Sequence, residues 1–106
     1  MSHGWSESDK NVVRTALERA RKRAEDEALK LLNSQQIQNI DDLWKLELKI
    51  RDWRREYGDG RFYFSYESVE RLLGEFLSRG WTLESDLASL SEERLENIKK
   101  NRKHST

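Results

Sequence analysis

The chain has 106 residues, 38% of them charged and 35% hydrophobic, and its 20 basic and 20 acidic residues cancel. That balance supplies no global electrostatic pull toward nucleic acid or an anionic membrane. The absence of cysteine excludes disulfides and thiolate metal sites, and no apolar run approaches the ~20 residues that span a bilayer. The size suits one domain with a modest core. With no proline, five glycines and an abundance of Leu, Glu, Arg and Lys, an all-α fold is predicted. Met1–Trp5 shows no basic stretch followed by an apolar one, so no secretory signal is expected and the predicted location is cytoplasmic.

In chain order, Ser6 and Asp9 form a Ser-x-x-Asp start signal for a helix over about 7–33. Its apolar positions are Val13, Leu17, Ala20, Ala24, Ala28, Leu31 and Leu32, a stripe whose middle is alanine. Small side chains let a neighbour approach closely but bury little area per turn. The other faces are charged, and Glu18 and Lys22 are spaced for an exposed ion pair in the favourable order, of a kind that contributes tenths of a kcal/mol. Asn33–Gln36 is a polar interruption, either a loop or a weak stretch inside a longer helix.

A second helix is predicted over 41–57, with Asp41 and Asp42 where a helix N-terminus favours negative charge. Leu43, Leu46, Ile50, Trp53 and Tyr57 recur at spacings of three, four, three and four, a narrow seam suited to packing against another helix. Trp44 falls beside it. Gly58-Asp59-Gly60 is a turn signal, and the aromatic run Arg61–Tyr66 reads as a packed connector, since one strand without a partner is not stable.

A third helix is predicted over 65–79 with a broad face of Val69, Leu72, Leu73, Phe76 and Leu77, ended by Gly80. Thr82–Leu87 reads as a short capped helix. Ser89-Leu90-Ser91-Glu92 matches the capping-box spacing and opens a last helix through Leu95 and Ile98, followed by a frayed basic tail from Lys99. The chain therefore divides into a long helical part (about 6–57), a helical head (about 58–98) and a basic tail (99–106). The long helices cannot bury their seams against themselves, and a homodimer using Leu43, Leu46, Ile50 and Trp53 is the simplest remedy.

No arrangement suits catalysis. The only histidines, His3 and His104, fall in the tails, and a general base near neutral pKa is usually histidine. Asp41-Asp42, Asp9 and Asp86 read as cap or turn acids. No phosphate loop or metal-ligand spacing occurs, so no enzyme activity and no cofactor are expected. Arg14, Arg21, Arg51, Arg54, Arg55 and Arg61 raise a nucleic-acid module as an alternative, but acids interleave with nearly every basic run.

The run Ile40-Asp41-Asp42-Leu43-Trp44-Lys45-Leu46 resembles the central pattern of the fluorescence recovery protein family of photosynthetic bacteria. Trp5-Ser6, then Arg54 and Glu56 after Trp53, and Gly80-Trp81, Asp86-Leu87, Leu90, Leu95 and Ile98 follow the same family's pattern in order over most of the chain. The resemblance implies an elongated all-α homodimer with two long helices and a small helical head. It also implies a non-enzymatic regulator that binds the orange carotenoid protein, chiefly through that protein's C-terminal domain. Such a regulator speeds the return of the carotenoid protein from red to orange and helps release it from the phycobilisome.

The resemblance places partner contacts at Trp44, Glu47, Leu48, Arg54 and Leu72. For Trp44, seam packing and partner docking stay equally open; for Arg54, a solvated helix charge is the alternative, and for Leu72, core packing. Two departures stand out. Glu47-Leu48 occupies positions where the family pattern carries His-Asp, and the connector from Glu56 to Val69 is about two residues longer. Both bear on activity toward the carotenoid protein rather than on the fold. A different client of the same scaffold, such as a signalling or transcriptional regulator, is the alternative they raise.

Overall fold

The computed structural model describes residues 4–102, except the side chain of Asp59. His3, His104 and the end of the basic tail at residues 103–106 lie outside the described residues. Four α-helices and two short 3-10 turns make up the regular structure, and among the described residues no strand occurs: α1 (Glu7–Asn33), α2 (Ile40–Tyr57), a 3-10 turn (Asp59–Phe62), α3 (Val69–Arg79), a second 3-10 turn (Glu84–Leu87) and α4 (Glu92–Arg102). The all-α reading holds, and α1 and α2 fall within a residue of the predicted bounds. The chain forms two compact units. One takes α1 up to Arg21 together with the described residues from Phe64 on; the other is Lys22–Tyr63.

The head unit holds most of the core. Val13, Ala16, Leu17 and Ala20 of α1 are buried, as are Val69, Leu73, Phe76 and Leu77 of α3, Ile98 of α4, and Trp5, Trp81, Leu87 and Leu90 between helices. Helix α1 starts where its cap allows: Ser6 Oγ accepts from the Asp9 amide at 3.0 Å. The Asp9 carboxylate does not complete a reciprocal box. It is buried and accepts from the Ser91 amide at 3.1 Å and the Ser91 hydroxyl at 3.0 Å, tying the start of α1 to the start of α4. Trp5 is held in place by polar and ring contacts. Its indole N–H donates to the Tyr66 carbonyl at 3.1 Å, its ring centroid lies 5.5 Å from that of Tyr66, and the Arg94 guanidinium sits 4.1 Å over its ring.

Helix α3 begins at Val69, four residues after the predicted start. The reason is local: the Ser65 carbonyl accepts from the Ser68 and Val69 amides and the two serine hydroxyls lie 3.1 Å apart, so the serines fold a turn that competes with the helix. The connector is also less packed than expected, since Tyr63 is 84% exposed. The end of α3 is as predicted. Gly80 adopts φ +80°, its amide donates to the Leu77 carbonyl and that of Trp81 to Phe76, the left-handed stop that glycine accommodates best.

The predicted helix over 82–87 is one 3-10 turn, Glu84–Leu87. Asp86 is its turn acid: Oδ2 accepts from the Leu83 amide at 2.9 Å and Oδ1 from Arg19 at 3.0 Å. Helix α4 starts two residues after the Ser89 box would place it. Ser91, whose carbonyl accepts the Leu95 amide, is the residue before the helix. The helix also runs to Arg102, through the first part of the tail expected to fray. Basic residues at a helix C-terminus favour the dipole, and Ser78 Oγ donates to the Arg102 carbonyl at 2.9 Å. Gly74 of α3 is what lets α4 lie so close. A Cβ there would meet Asn101 Cβ at 2.6 Å and the Ile98 carbonyl oxygen at 2.8 Å.

In the second unit the polar interruption is a loop, residues 34–39, and α2 opens from it. Asn39 is the N-cap, accepting from the Asp42 amide at 2.9 Å, while the Asp42 carboxylate accepts from the Gln38 amide at 3.1 Å. Asp41 and Asp42 lie in the first turn, as the dipole argument requires. Lys49 Nζ donates to Gln35 Oε1 at 3.1 Å, tying the loop to α2.

Candidate functional site: the exposed faces of helix α2

Helix α2 has 18 residues and none is buried. A helix of that length with seven large apolar residues (Ile40, Leu43, Trp44, Leu46, Leu48, Ile50 and Trp53) ordinarily hides some of them. Here Leu46, Trp53 and Tyr57 are half-buried and Leu43 and Ile50 are exposed, so the seam read from the spacing is present but uncovered in the single chain. Contiguous exposed apolar surface of this kind makes the helix a candidate interaction site.

Two grooves lie along the helix. The first, of about 280 Å³, is lined by Leu43, Trp44, Leu46, Glu47 and Ile50, so Trp44 and Glu47 share it with the seam. The second, about 310 Å³, lies within the same unit between α2 and the later part of α1, lined by Ala28, Leu29 and Leu32 on one side and Ile50, Trp53, Arg54 and Tyr57 on the other. Arg54 is therefore a cation at the edge of an apolar groove, and its side chain makes no ion pair or hydrogen bond among the described residues. Its neighbours are engaged: Arg51 Nη2 lies 2.9 Å from Glu47 Oε1, and Glu56 pairs with Arg61 at 3.7 Å.

Of the residues that the resemblance marks for partner contact, Trp44, Glu47, Leu48 and Arg54 all stand on α2. Trp44 is 55% and Leu48 61% exposed. Leu48 lines neither groove. Leu72 stands in the head on α3, half-buried. Two participants escaped the sequence reading: Leu29, which lines the second groove, and Asn39, which caps the helix; Arg51 was named only as a basic residue, not as the partner of Glu47. The Leu29 signal was available in the run Ala28-Leu29-Lys30-Leu31-Leu32, where four apolar residues in five exceed what one stripe can use.

Of the basic residues that raised a nucleic-acid module, Arg14 lies near Glu7, Arg51 pairs with Glu47 and Arg61 with Glu56, while Arg54 and Arg55 make no ion pair among the described residues. Among the described residues no group of His, Asp and Glu could hold a metal ion, and no helix is long and apolar enough to cross a membrane.

A helical head and an amphipathic helix with an uncovered apolar face define a class of all-α proteins that offer a surface suited to docking. The particular family follows from comparison. The model of the photoprotection regulator fluorescence recovery protein family matches residues 5–101, and the chain belongs to that family. Two solved structures have the same fold. The fluorescence recovery protein of Synechocystis sp PCC 6803 is 26% identical with a TM-score of 0.85, over 93% of this chain and 98% of that one. That of Fremyella diplosiphon is 22% identical with a TM-score of 0.85, over 94% of this chain and 99% of that one. No curated protein matches. The chain is thus a member of a family of photoprotection regulators.

Proposed function

We propose that this protein is a homodimer that binds the orange carotenoid protein and accelerates its reversion from the red, photoactivated state to the orange, resting state. The observation that carries the reading is an 18-residue helix without one buried residue, in a chain whose family is that of fluorescence recovery. The seam of Leu43, Leu46, Ile50 and Trp53 is assigned to the second copy, since like faces pair across a two-fold axis. Trp44, Glu47, Leu48 and Arg54, with Leu72 on the head, are assigned to the client.

The mechanism needs no acid, base or cofactor. A protein that binds the arrangement of two partner domains at the barrier more tightly than either end state lowers that barrier. A tenfold acceleration requires about 1.4 kcal/mol of such preference. An exposed ring at Trp44 and, farther along the same helix, the Arg54 guanidinium at the edge of a second apolar groove suit the task. The apolar ring gains from desolvation, and the cation selects orientation through a carboxylate or carbonyl on the client.

A second reading has its own support. Leu48 puts an exposed apolar residue where the family resemblance expects a carboxylate. A client other than the carotenoid protein, engaged through the same scaffold, is consistent with that change. Co-elution with red-state carotenoid protein on size exclusion separates the two. The first reading predicts a complex with the wild-type chain, and predicts that Arg54→Ala elutes separately while its melting temperature stays unchanged. Separate elution of the folded wild-type dimer would favour the second.

A further inference from the structure

Helix α2 carries a second stripe that the seam does not use. At about 100° per residue, Ile40, Trp44, Leu48, Arg51 and Arg55 fall within an arc of about 80°, to one side of the seam. Their spacings are four, four, three and four. Ile40, Trp44 and Leu48 expose 57%, 55% and 61% of their surface, more than Leu43 at 42% or Ile50 at 38%. Beyond Leu48 the stripe becomes cationic. Arg51 keeps a side chain 69% exposed even while paired with Glu47, and Arg55 is exposed and makes no ion pair among the described residues. The stripe is therefore polar in the directional sense: three large apolar side chains, then two arginines.

The geometry points to this stripe as the docking face for an amphipathic helical segment of a partner protein, whose apolar residues cover Ile40, Trp44 and Leu48 and whose acidic residues meet Arg51 and Arg55. Charge decides the occupant. A second copy does not complement the stripe. Parallel self-pairing sets Arg51 and Arg55 against themselves, and antiparallel self-pairing sets them against Ile40 and Trp44. There Arg55, which makes no ion pair among the described residues, would lose solvation without a partner, and Arg51 would keep no acid but its own Glu47. An apolar helix face continued by carboxylates satisfies both halves, the helix-in-groove mode with its anchors at helical spacing. The inference deepens the reading of α2 as the client-binding helix by stating what chemistry the client must present, and it assigns Leu48 and Arg55 to specificity.

The test uses the full chain and a probe that does not involve the carotenoid protein, so the inference stands or falls apart from the proposed function. The isotope-labelled protein is titrated with a synthetic helical peptide carrying leucines at two positions four apart, followed at helical spacing by two glutamates. A control peptide carries lysines in place of the glutamates. A saturable shift of the Trp44 indole N–H with the acidic peptide is expected, at least tenfold weaker with the lysine peptide. Leu48→Asp and Arg55→Glu should each weaken binding at least tenfold, with melting temperatures held, because both are exposed helix positions. No movement of Trp44 with either peptide, equal binding of both, or movement of Trp53 in its place would overturn the assignment. So would a changed sedimentation mass of Leu48→Asp or Arg55→Glu without any peptide, which would give the stripe to a second copy.

Discussion

The Asp9 carboxylate, in the first turn of α1, ties down Ser91 at the start of α4, 82 residues away, while Ser6 caps its own helix. The sequence marks Asp9 as a cap or turn acid, but not its partner. The spacing Ser6–Asp9 carries only the local half, and the bonds to Ser91 depend on the folded head. The same holds for Asp86, whose pairing with Arg19 no spacing rule could supply. Buried carboxylates that accept two donors are expensive to remove, because the donors are left without partners. Asp9→Ala is therefore expected to lower unfolding free energy by about 1–3 kcal/mol, read from urea denaturation. A change within ~0.5 kcal/mol, the range of unremarkable surface substitutions, would show that water replaces Asp9 at Ser91 without loss.

At the scale of elements, the long helices were legible because their periodicity runs for many turns and their ends are marked by Ser6, the Asp41-Asp42 pair and Gly58. The short ones were less so. The turn at Ser65–Ser68 replaced the first turn of α3, and Ser91 rather than Ser89 set the start of α4, because local hydroxyl bonds and tertiary ties compete on equal terms over a few residues. The extension of α4 to Arg102 rests on its packing along α3, which a basic composition conceals. Gly74 is the position where this packing is tightest. Gly74→Ala gains about 1 kcal/mol of helix propensity but drives a methyl against Asn101 and the Ile98 carbonyl, and overpacking of this kind costs about 1–3 kcal/mol. Net destabilisation is expected in a thermal melt, with α4 loosened first. A raised melting temperature would mean that the helices separate without loss.

At the scale of the whole molecule, the candidate site was legible as a helix and as a set of residues, while its geometry was not. The spacing placed Leu43, Leu46, Ile50 and Trp53 in one seam and set Trp44 beside it. That Glu47 is held by Arg51, that Arg54 edges a groove completed by Leu29 and Leu32, and that Leu48 stands clear of both grooves depend on the folded chain. The uncovered seam carries the proposed oligomer. Wild-type protein is expected to sediment at twice its 12.7 kDa chain mass. Leu46→Glu, which sets a carboxylate on a half-buried apolar position, is expected to shift it to the monomer mass with the helical content retained. An unchanged dimer in the Leu46→Glu variant would place the interface elsewhere.

The central claim is that this family member acts on the carotenoid protein despite Glu47 and Leu48. The most direct measurement is to photoconvert an orange carotenoid protein to red, add the verified folded dimer in darkness, and follow the absorbance as the orange form returns. The account predicts a recovery rate that rises with added protein, saturates, and falls back toward the spontaneous rate with Arg54→Ala. Recovery at the spontaneous rate at every concentration of wild-type dimer would contradict it.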